Sequence, residues 1–130
     1  MRVAFDTNFY VSFVRGKETA VAAAQQAHQI VLPFIVVAEL RAGFSCGTRS
    51  AKNNEVFTRF LNRSRVFVSY PDEGTTHHYA NLFRQLRQQG TPIPSNDVWI
   101  AALCVQHNLI LASGDSHFNH LPQIPRYSPE

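Results

Sequence analysis

The sequence predicts an α/β protein whose sheet is mostly parallel and covered by helices on both faces. Short apolar runs of strand character alternate with longer stretches of helical periodicity along all 130 residues. The strand-like runs, such as Ile30-Val31-Leu32 and Leu109-Ile110-Leu111-Ala112, are apolar without alternation, as strands buried on both faces are. Two runs lead straight into aspartates, Asp6 and Asp115, and parallel sheets bind their ligands at the carboxyl ends of strands.

The elements follow in order. Arg2 to Phe5 is a β-prone run that stops at Asp6-Thr7-Asn8, three good helix N-caps, so strand hands over to helix directly. That helix is expected from about Phe9 to Arg15-Gly16, and an Ala-rich helix from about Glu18 to His28. After the strand Ile30–Leu32, Pro33 can open a helix over Phe34–Phe44 that is apolar almost all round except for Glu39 and Arg41. Ser45 to Ser50 is expected as a loop. Val56, Phe57, Phe60 and Leu61 then stand at helical spacing within Asn53–Arg63. Val66–Val68 is a strand, Glu73–Gln89 an amphipathic helix stopped by Gly90, Asp97–His107 an apolar helix, and Leu109–Ala112 a strand. The Pro-rich tail from Leu121 to Glu130 is expected to end in a short strand near Ile124. No repeat or linker interrupts the chain, so one domain over residues 1–130 is expected.

Composition bounds the function. A hydrophobic content of 45% supports a packed core and excludes disorder. No apolar run nears the roughly 20 residues of a membrane span. An acid at position 6 comes too early for a secretory signal. Cys46 and Cys104 are too few for a disulfide framework or structural zinc site and are expected as buried thiols in a reducing cytoplasm. Twelve Lys and Arg stand against nine acids, for a net charge of +3. If four acids share one site, the remaining five leave the rest of the surface strongly basic, which suits a polyanion meeting a cation-filled centre. Ten of the twelve cations are arginine, the residue for bidentate phosphate contacts and base stacking.

Taken singly, the acids have plain roles. Asp6 and Asp97 are well placed as helix caps, Asp115 sits in an ordinary Ser-Gly-Asp turn, and Glu39 is a polar residue on an apolar helix. Together they suit Mg²⁺ or Mn²⁺, which take hard oxygen ligands and need only one or two carboxylates each. Crowded carboxylates also repel one another, which raises their pKa values until metal binds.

The pattern of the whole set resembles that of PIN-domain nucleases. Phe5-Asp6-Thr7-Asn8 is similar to their opening motif, Ala38-Glu39-Leu40 with Gly43 to the second, Asp97-Val98-Trp99-Ile100-Ala101-Ala102 to the third, and Leu111-Ala112-Ser113-Gly114-Asp115-Ser116-His117-Phe118 to the fourth. The resemblance implies a compact αβα sandwich and Mg²⁺- or Mn²⁺-dependent hydrolysis of RNA. It places the metal and the catalysis at Asp6, Glu39, Asp97 and Asp115, with Thr7, Asn8 and Ser113 in support. The short length is similar to that of VapC-type toxins, which implies an inhibiting antitoxin partner and a homodimer. Gly114 departs from the longer or charged residue that relatives often carry there.

Other residues carry weaker expectations. Arg41, Arg49, Lys52, Arg84 and Arg87 are candidate phosphate contacts, with Arg41 next to the Glu39 turn, or simply solubilising charges. His117 is a candidate substrate contact against the plainer reading of a surface histidine. His77-His78 point about 100° apart on a helix and suit a solvated face better than a shared metal. Two other functions remain open at this point. A non-catalytic RNA-binding module predicts salt-sensitive binding without turnover. An aspartyl-phosphate phosphatase needs a second Asp two residues after the first, where this chain has Asn8.

Overall fold

The fold was obtained as a computed structural model that describes residues 1–128. Strand β1 (Arg2–Phe5) is followed by helices α1 (Thr7–Val14) and α2 (Glu18–Gln26), then β2 (Gln29–Pro33), α3 (Phe34–Cys46) and α4 (Ser50–Leu61). Strand β3 (Val66–Ser69), helices α5 (Glu73–Gln89) and α6 (Ser95–His107), strand β4 (Ile110–Ala112) and a 3₁₀ turn over Ser116–His120 complete the described order.

The four strands form one parallel sheet in the order β3-β2-β1-β4, flanked by helices. The chain steps outward from β1 to β2 to β3, then returns to the other side of β1 with β4. The switch in direction therefore lies between β1 and β4, the crevice where open α/β sheets bind ligands. Register there is fixed by Val3 opposite Ile110 and Phe5 opposite Ala112, so Asp6 and Ser113 leave the sheet side by side. The Asp6 N–H extends the ladder by donating to the Ala112 carbonyl at 3.3 Å.

The core explains why these segments take these forms. Val3, Ala4, Phe5, Leu32, Leu111 and Ala112 are fully buried, as strands covered on both faces must be. Tyr10 of α1 meets Phe57 and Phe60 of α4 edge-on, each at 5.1 Å between ring centroids, which ties the two helices together. Helix α6 buries Val98 and the five consecutive residues Ile100 to Cys104, and it packs along α5. Asn108 closes α6 at φ 54°, a left-handed conformation its short amide tolerates. Gly90 closes α5 at φ 71°.

Several boundaries differ from the sequence expectation, each for a local reason. Helix α1 starts at Thr7 because Asp6 itself is the cap, its carboxylate accepting from the Phe9 N–H. Helix α3 continues through Cys46 and α4 begins at Ser50, which shrinks the expected loop to three residues. Cys46 is consequently exposed at the free end of α3 and only Cys104 is buried. Asp97 does not open its helix: Pro94, with φ at −56°, turns the chain so that α6 starts at Ser95 and Asp97 occupies its first turn. The tail pairs not at Ile124 but at Arg126, which bridges Leu111 in parallel. No helix among the described residues is long and apolar enough to cross a membrane.

Candidate metal centre

The strand order brings all four acids to one edge of the sheet. Asp6 and Asp115 follow β1 and β4. Helix α6 runs back along the sheet before β4, which returns its first turn, and with it Asp97, to the same edge. Helix α3 leaves β2 without a connecting residue and carries Glu39 in its second turn.

Each side chain is held by a neighbour. Asp6 is 5% exposed, and both its oxygens are engaged: Oδ1 accepts from the Phe9 N–H at 2.9 Å and Oδ2 from the Ser113 hydroxyl. The Ser113 oxygen accepts in turn from the Asp115 N–H at 3.0 Å, so one hydroxyl links the ends of β1 and β4. Thr7 Oγ1 donates to Glu39 Oε1 at 2.7 Å, and the Asn96 amide donates to Glu39 Oε2 at 3.3 Å. His117 Nδ1 lies 2.8 Å from Asp97 Oδ2 and 3.1 Å from Asp115 Oδ1, and the His117 N–H donates to Asp115 Oδ1 at 2.9 Å. One ligand atom each from Asp97, Asp115 and His117 lies within 4.8 Å of the others.

Electrostatics bind the four into one group. Burial holds the Asp6 carboxyl above the ordinary carboxylate range, against the lowering by Ser113 and Phe9, and the charges of Asp115 and Asp97 add to the rise. Asp97 is also raised, first by burial and then by Asp115 and Glu39, with His117 opposing. Burial pushes the Cys104 thiol up to about 12, with a further contribution from Asp6 behind it. An oxygen-rich cluster of mutually repelling carboxylates at a sheet switch point suits a hard divalent cation such as Mg²⁺ or Mn²⁺, which supplies the missing positive charge.

The remaining sequence candidates fall elsewhere. Asn8 is exposed beside the site and bonds none of the acids. Arg41 points to α4, where it donates to Asn54 Oδ1 at 2.9 Å and lies 5.2 Å from the Phe57 ring centroid. Arg49 precedes α4 and Lys52 is exposed in its first turn; Arg84 and Arg87 are exposed on α5. Among the described residues no hydrogen bond joins these five to the carboxylates. His77 is exposed and His78 half-buried, and Trp99 packs against Tyr79 at 4.2 Å between ring centroids.

Sequence reasoning missed two contributors. Asn96, the polar residue just before Asp97, orients Glu39. Arg126 donates through Nη2 to the Ser113 carbonyl and through Nη1 to Asn119 Oδ1 at 3.2 Å, with its guanidinium 5.8 Å from the Phe118 ring centroid. It is the only cation in the Pro-rich tail, a signal that was available. His117, a candidate substrate contact or surface histidine by sequence, keeps 43% of its side chain exposed and lies against two of the acids.

Known proteins share this arrangement. The PIN domain family matches residues 3–124. Ribonuclease VapC1 of Haemophilus influenzae is 30% identical over 110 residues, which cover 82% of this chain and 81% of that protein. The structure of VapBC2 from Rickettsia felis, bound to a DNA fragment from its promoter, superposes with a TM-score of 0.86 at 25% identity, covering 98% of both chains. That of VapBC-1 from nontypeable Haemophilus influenzae superposes at 0.83 with 26% identity, again covering 98% of both. With the family pattern spanning the sheet, all four acids and the turn after β4, the chain belongs to the PIN-domain family and, within it, to the VapC group.

Proposed function

We propose that this protein is a metal-dependent endoribonuclease that hydrolyses RNA phosphodiester bonds with Mg²⁺ or Mn²⁺, as the toxin of a type II toxin–antitoxin pair in the cytoplasm. The convergence of Asp6, Glu39, Asp97 and Asp115 on the β1–β4 crevice carries the reading. These four residues would hold the ion, which when bound neutralises the scissile phosphate and activates the attacking water. Ser113 fixes the Asp6 carboxylate, while Thr7 and Asn96 clamp both Glu39 oxygens; such supporting bonds commonly matter 10- to 100-fold, as an order of magnitude, in metal affinity or activity. His117 Nδ1 lies within hydrogen-bond distance of both Asp97 Oδ2 and Asp115 Oδ1, and so ties these two carboxylates together where the phosphate is to enter.

Asp6 is ill suited to the phosphatase alternative. A carboxylate buried to 5% exposure with both oxygens hydrogen-bonded is a poor nucleophile for a phosphoryl group. A pure RNA-binding module has no use for four acids facing a polyanion.

The VapBC complexes among the structural relatives support an antitoxin partner. Exposed apolar side chains support a homodimer: Phe34 and Tyr70 meet at 5.6 Å and are 45% and 65% exposed, beside the edge strand β3 with Phe67 outward. The test is cleavage of RNA by the purified protein with Mg²⁺ or Mn²⁺, alongside Asp6→Ala and Asp97→Asn. Loss of cleavage in both variants and in EDTA is expected. Metal-independent cleavage that survives both substitutions would overturn the proposal.

A further inference from the structure

Beside the carboxylates lies a cleft of about 460 Å³, in the size range of small-ligand sites. Its walls include Phe9 and Ser12 of α1, Lys17 and Thr19 at the start of α2, and Tyr127 of the tail; Asp115 belongs both to this cleft and to the acidic cluster. Through Asp115 the cleft borders the acidic cluster, so a ligand in the cleft lies next to whatever the acids hold.

The aromatic wall is rigid. Phe9 packs edge-on against Phe5 of the core at 4.8 Å between centroids, and Tyr127 stands against Phe9 at 6.5 Å and 73°. Tyr127 is pinned at both ends: its N–H donates to the Leu111 carbonyl at 2.9 Å and its hydroxyl to Gln26 Oε1 at 3.0 Å. Both rings are half-buried, so part of each remains open to the cleft. The rest of the lining includes a cation and hydroxyls. Lys17 is exposed and forms no ion pair among the described residues, and Ser12 and Thr19 add hydroxyls. Aromatic rings and an ammonium lining one cleft that borders the acidic cluster match the base and the phosphate of one nucleotide.

We propose that this cleft is the subsite for the nucleotide adjoining the scissile phosphate, with Tyr127 and Phe9 taking its base and Lys17 the phosphate on its far side. The proposal rests on the nuclease reading above and adds the substrate's position. Stacking on a ring face reads no base identity, so the subsite selects for an unpaired nucleotide rather than for sequence.

The experiment uses short single-stranded RNA whose cleavage site has been mapped with the wild-type protein and Mg²⁺ or Mn²⁺. Kinetics are compared for wild type, Lys17→Ala, Tyr127→Leu, Tyr127→Phe and Arg59→Ala, the last an exposed cation on α4 paired with Glu55. Tyr127→Leu is expected to raise KM about tenfold with a much smaller change in kcat, while Tyr127→Phe stays near wild type. Lys17→Ala is expected to lower the slope of log affinity against log salt by about 0.7, and Arg59→Ala to leave it unchanged. In EDTA, 2-aminopurine placed next to the cleavage site is expected to be quenched by wild type and not by Tyr127→Leu. Cleavage that proceeds with unaltered KM, salt slope and quenching in both variants refutes the subsite and leaves the nuclease intact. Absence of metal-dependent cleavage by wild type overturns both. If Tyr127→Leu fails to fold, the exposed Lys17→Ala decides through its salt slope alone.

Discussion

Replacing Asp97 by asparagine should move stability in opposite directions with and without metal. The Asp97 and Asp115 ligand atoms lie within 4.8 Å of each other. Two unit charges at that distance repel by roughly 3.5 kcal/mol at an effective dielectric near 20. Solvent screens much of this, since 31% of the Asp115 side chain is exposed, and His117 Nδ1 lies within hydrogen-bond distance of both carboxylates. A net relief of about 1 kcal/mol is expected on removing one charge, in the range by which neutralised functional sites commonly stabilise proteins. Asparagine keeps an oxygen for His117 Nδ1, so no buried donor is orphaned. For 130 residues, an unfolding entropy of about 2.1 cal/mol/K per residue makes 1 kcal/mol worth about 4 °C in Tm. In EDTA, Asp97→Asn should therefore melt about 4 °C above wild type. Metal at ten times its Kd stabilises wild type by about 1.4 kcal/mol, or about 5 °C, and the variant by almost nothing. Differential scanning fluorimetry with EDTA, Mg²⁺ and Mn²⁺ measures both. A variant that melts below wild type in EDTA, or that gains as much from metal, refutes the account of these carboxylates as a strained metal centre.

Other outcomes follow from the same contacts. Ser113→Ala removes the hydroxyl that links Asp6 to the Asp115 turn, and RNA cleavage is expected to fall about 10- to 100-fold while the urea midpoint changes little; an unchanged rate would show that Asp6 needs no such support. Arg126→Met keeps an apolar stem over Phe118 but deletes the charged bonds to Ser113 and Asn119, which should cost about 1.5–3 kcal/mol in urea unfolding and lower activity as well. Asp6 and Asp97 have folded pKa values above the ordinary 3.8, so the metal-free folded state takes up their protons before the unfolded state does. Its stability should therefore rise as pH falls toward 3.8, and Asp97→Asn should show a smaller rise. Below 3.8 the lowered Asp72 reverses the trend, since its hydrogen bonds from Gln106 and Thr75 are lost on protonation. Urea midpoints that fall steadily from neutral pH to 4 in the EDTA-treated wild type would contradict this.

The parallel sheet was legible because its strands are buried on both faces and cannot disguise themselves: Val3 to Phe5, Ile30 to Leu32 and Leu111 to Ala112 are apolar at every position. The convergence of Asp6 and Asp115 was legible for the same reason, since strand ends in a parallel sheet share one edge. What stayed hidden depends on side-chain direction. Nothing in the sequence tells that Arg41 turns away toward Asn54 and Phe57, or that His117 lies against Asp97. Boundaries failed where a cap did double duty. Asp6 is at once a helix cap and an acid of the site, so the helix begins two residues earlier than its apolar periodicity suggests. Cys46 is exposed because helix α3 outlasts its buried face: the last buried position is Leu40, and beyond it only Phe44 still packs on the core.

The least regular part of the chain turns out to stabilise the most exacting part of the site. Strand β4 is only three residues long, and β1 covers just one of its edges. On the other edge the tail takes over: the Leu111 N–H donates to the Pro125 carbonyl at 2.8 Å and the Tyr127 N–H to the Leu111 carbonyl. Arg126, between them, reaches across to the carbonyl of Ser113, the residue whose hydroxyl engages Asp6. A continuous path of hydrogen bonds thus runs from the tail through Ser113 to the buried carboxylate and on to the first turn of α1. A displaced tail would free Ser113, leave one Asp6 oxygen buried without a donor, and push that carboxyl further toward its protonated, metal-refusing form. The same segment carries Tyr127 into the neighbouring cleft. Docking of residues 125–127 on β4 therefore supports both the acidic cluster and the cleft beside it, so undocking the tail as a whole should impair metal affinity and KM together, whereas Lys17→Ala should change KM alone.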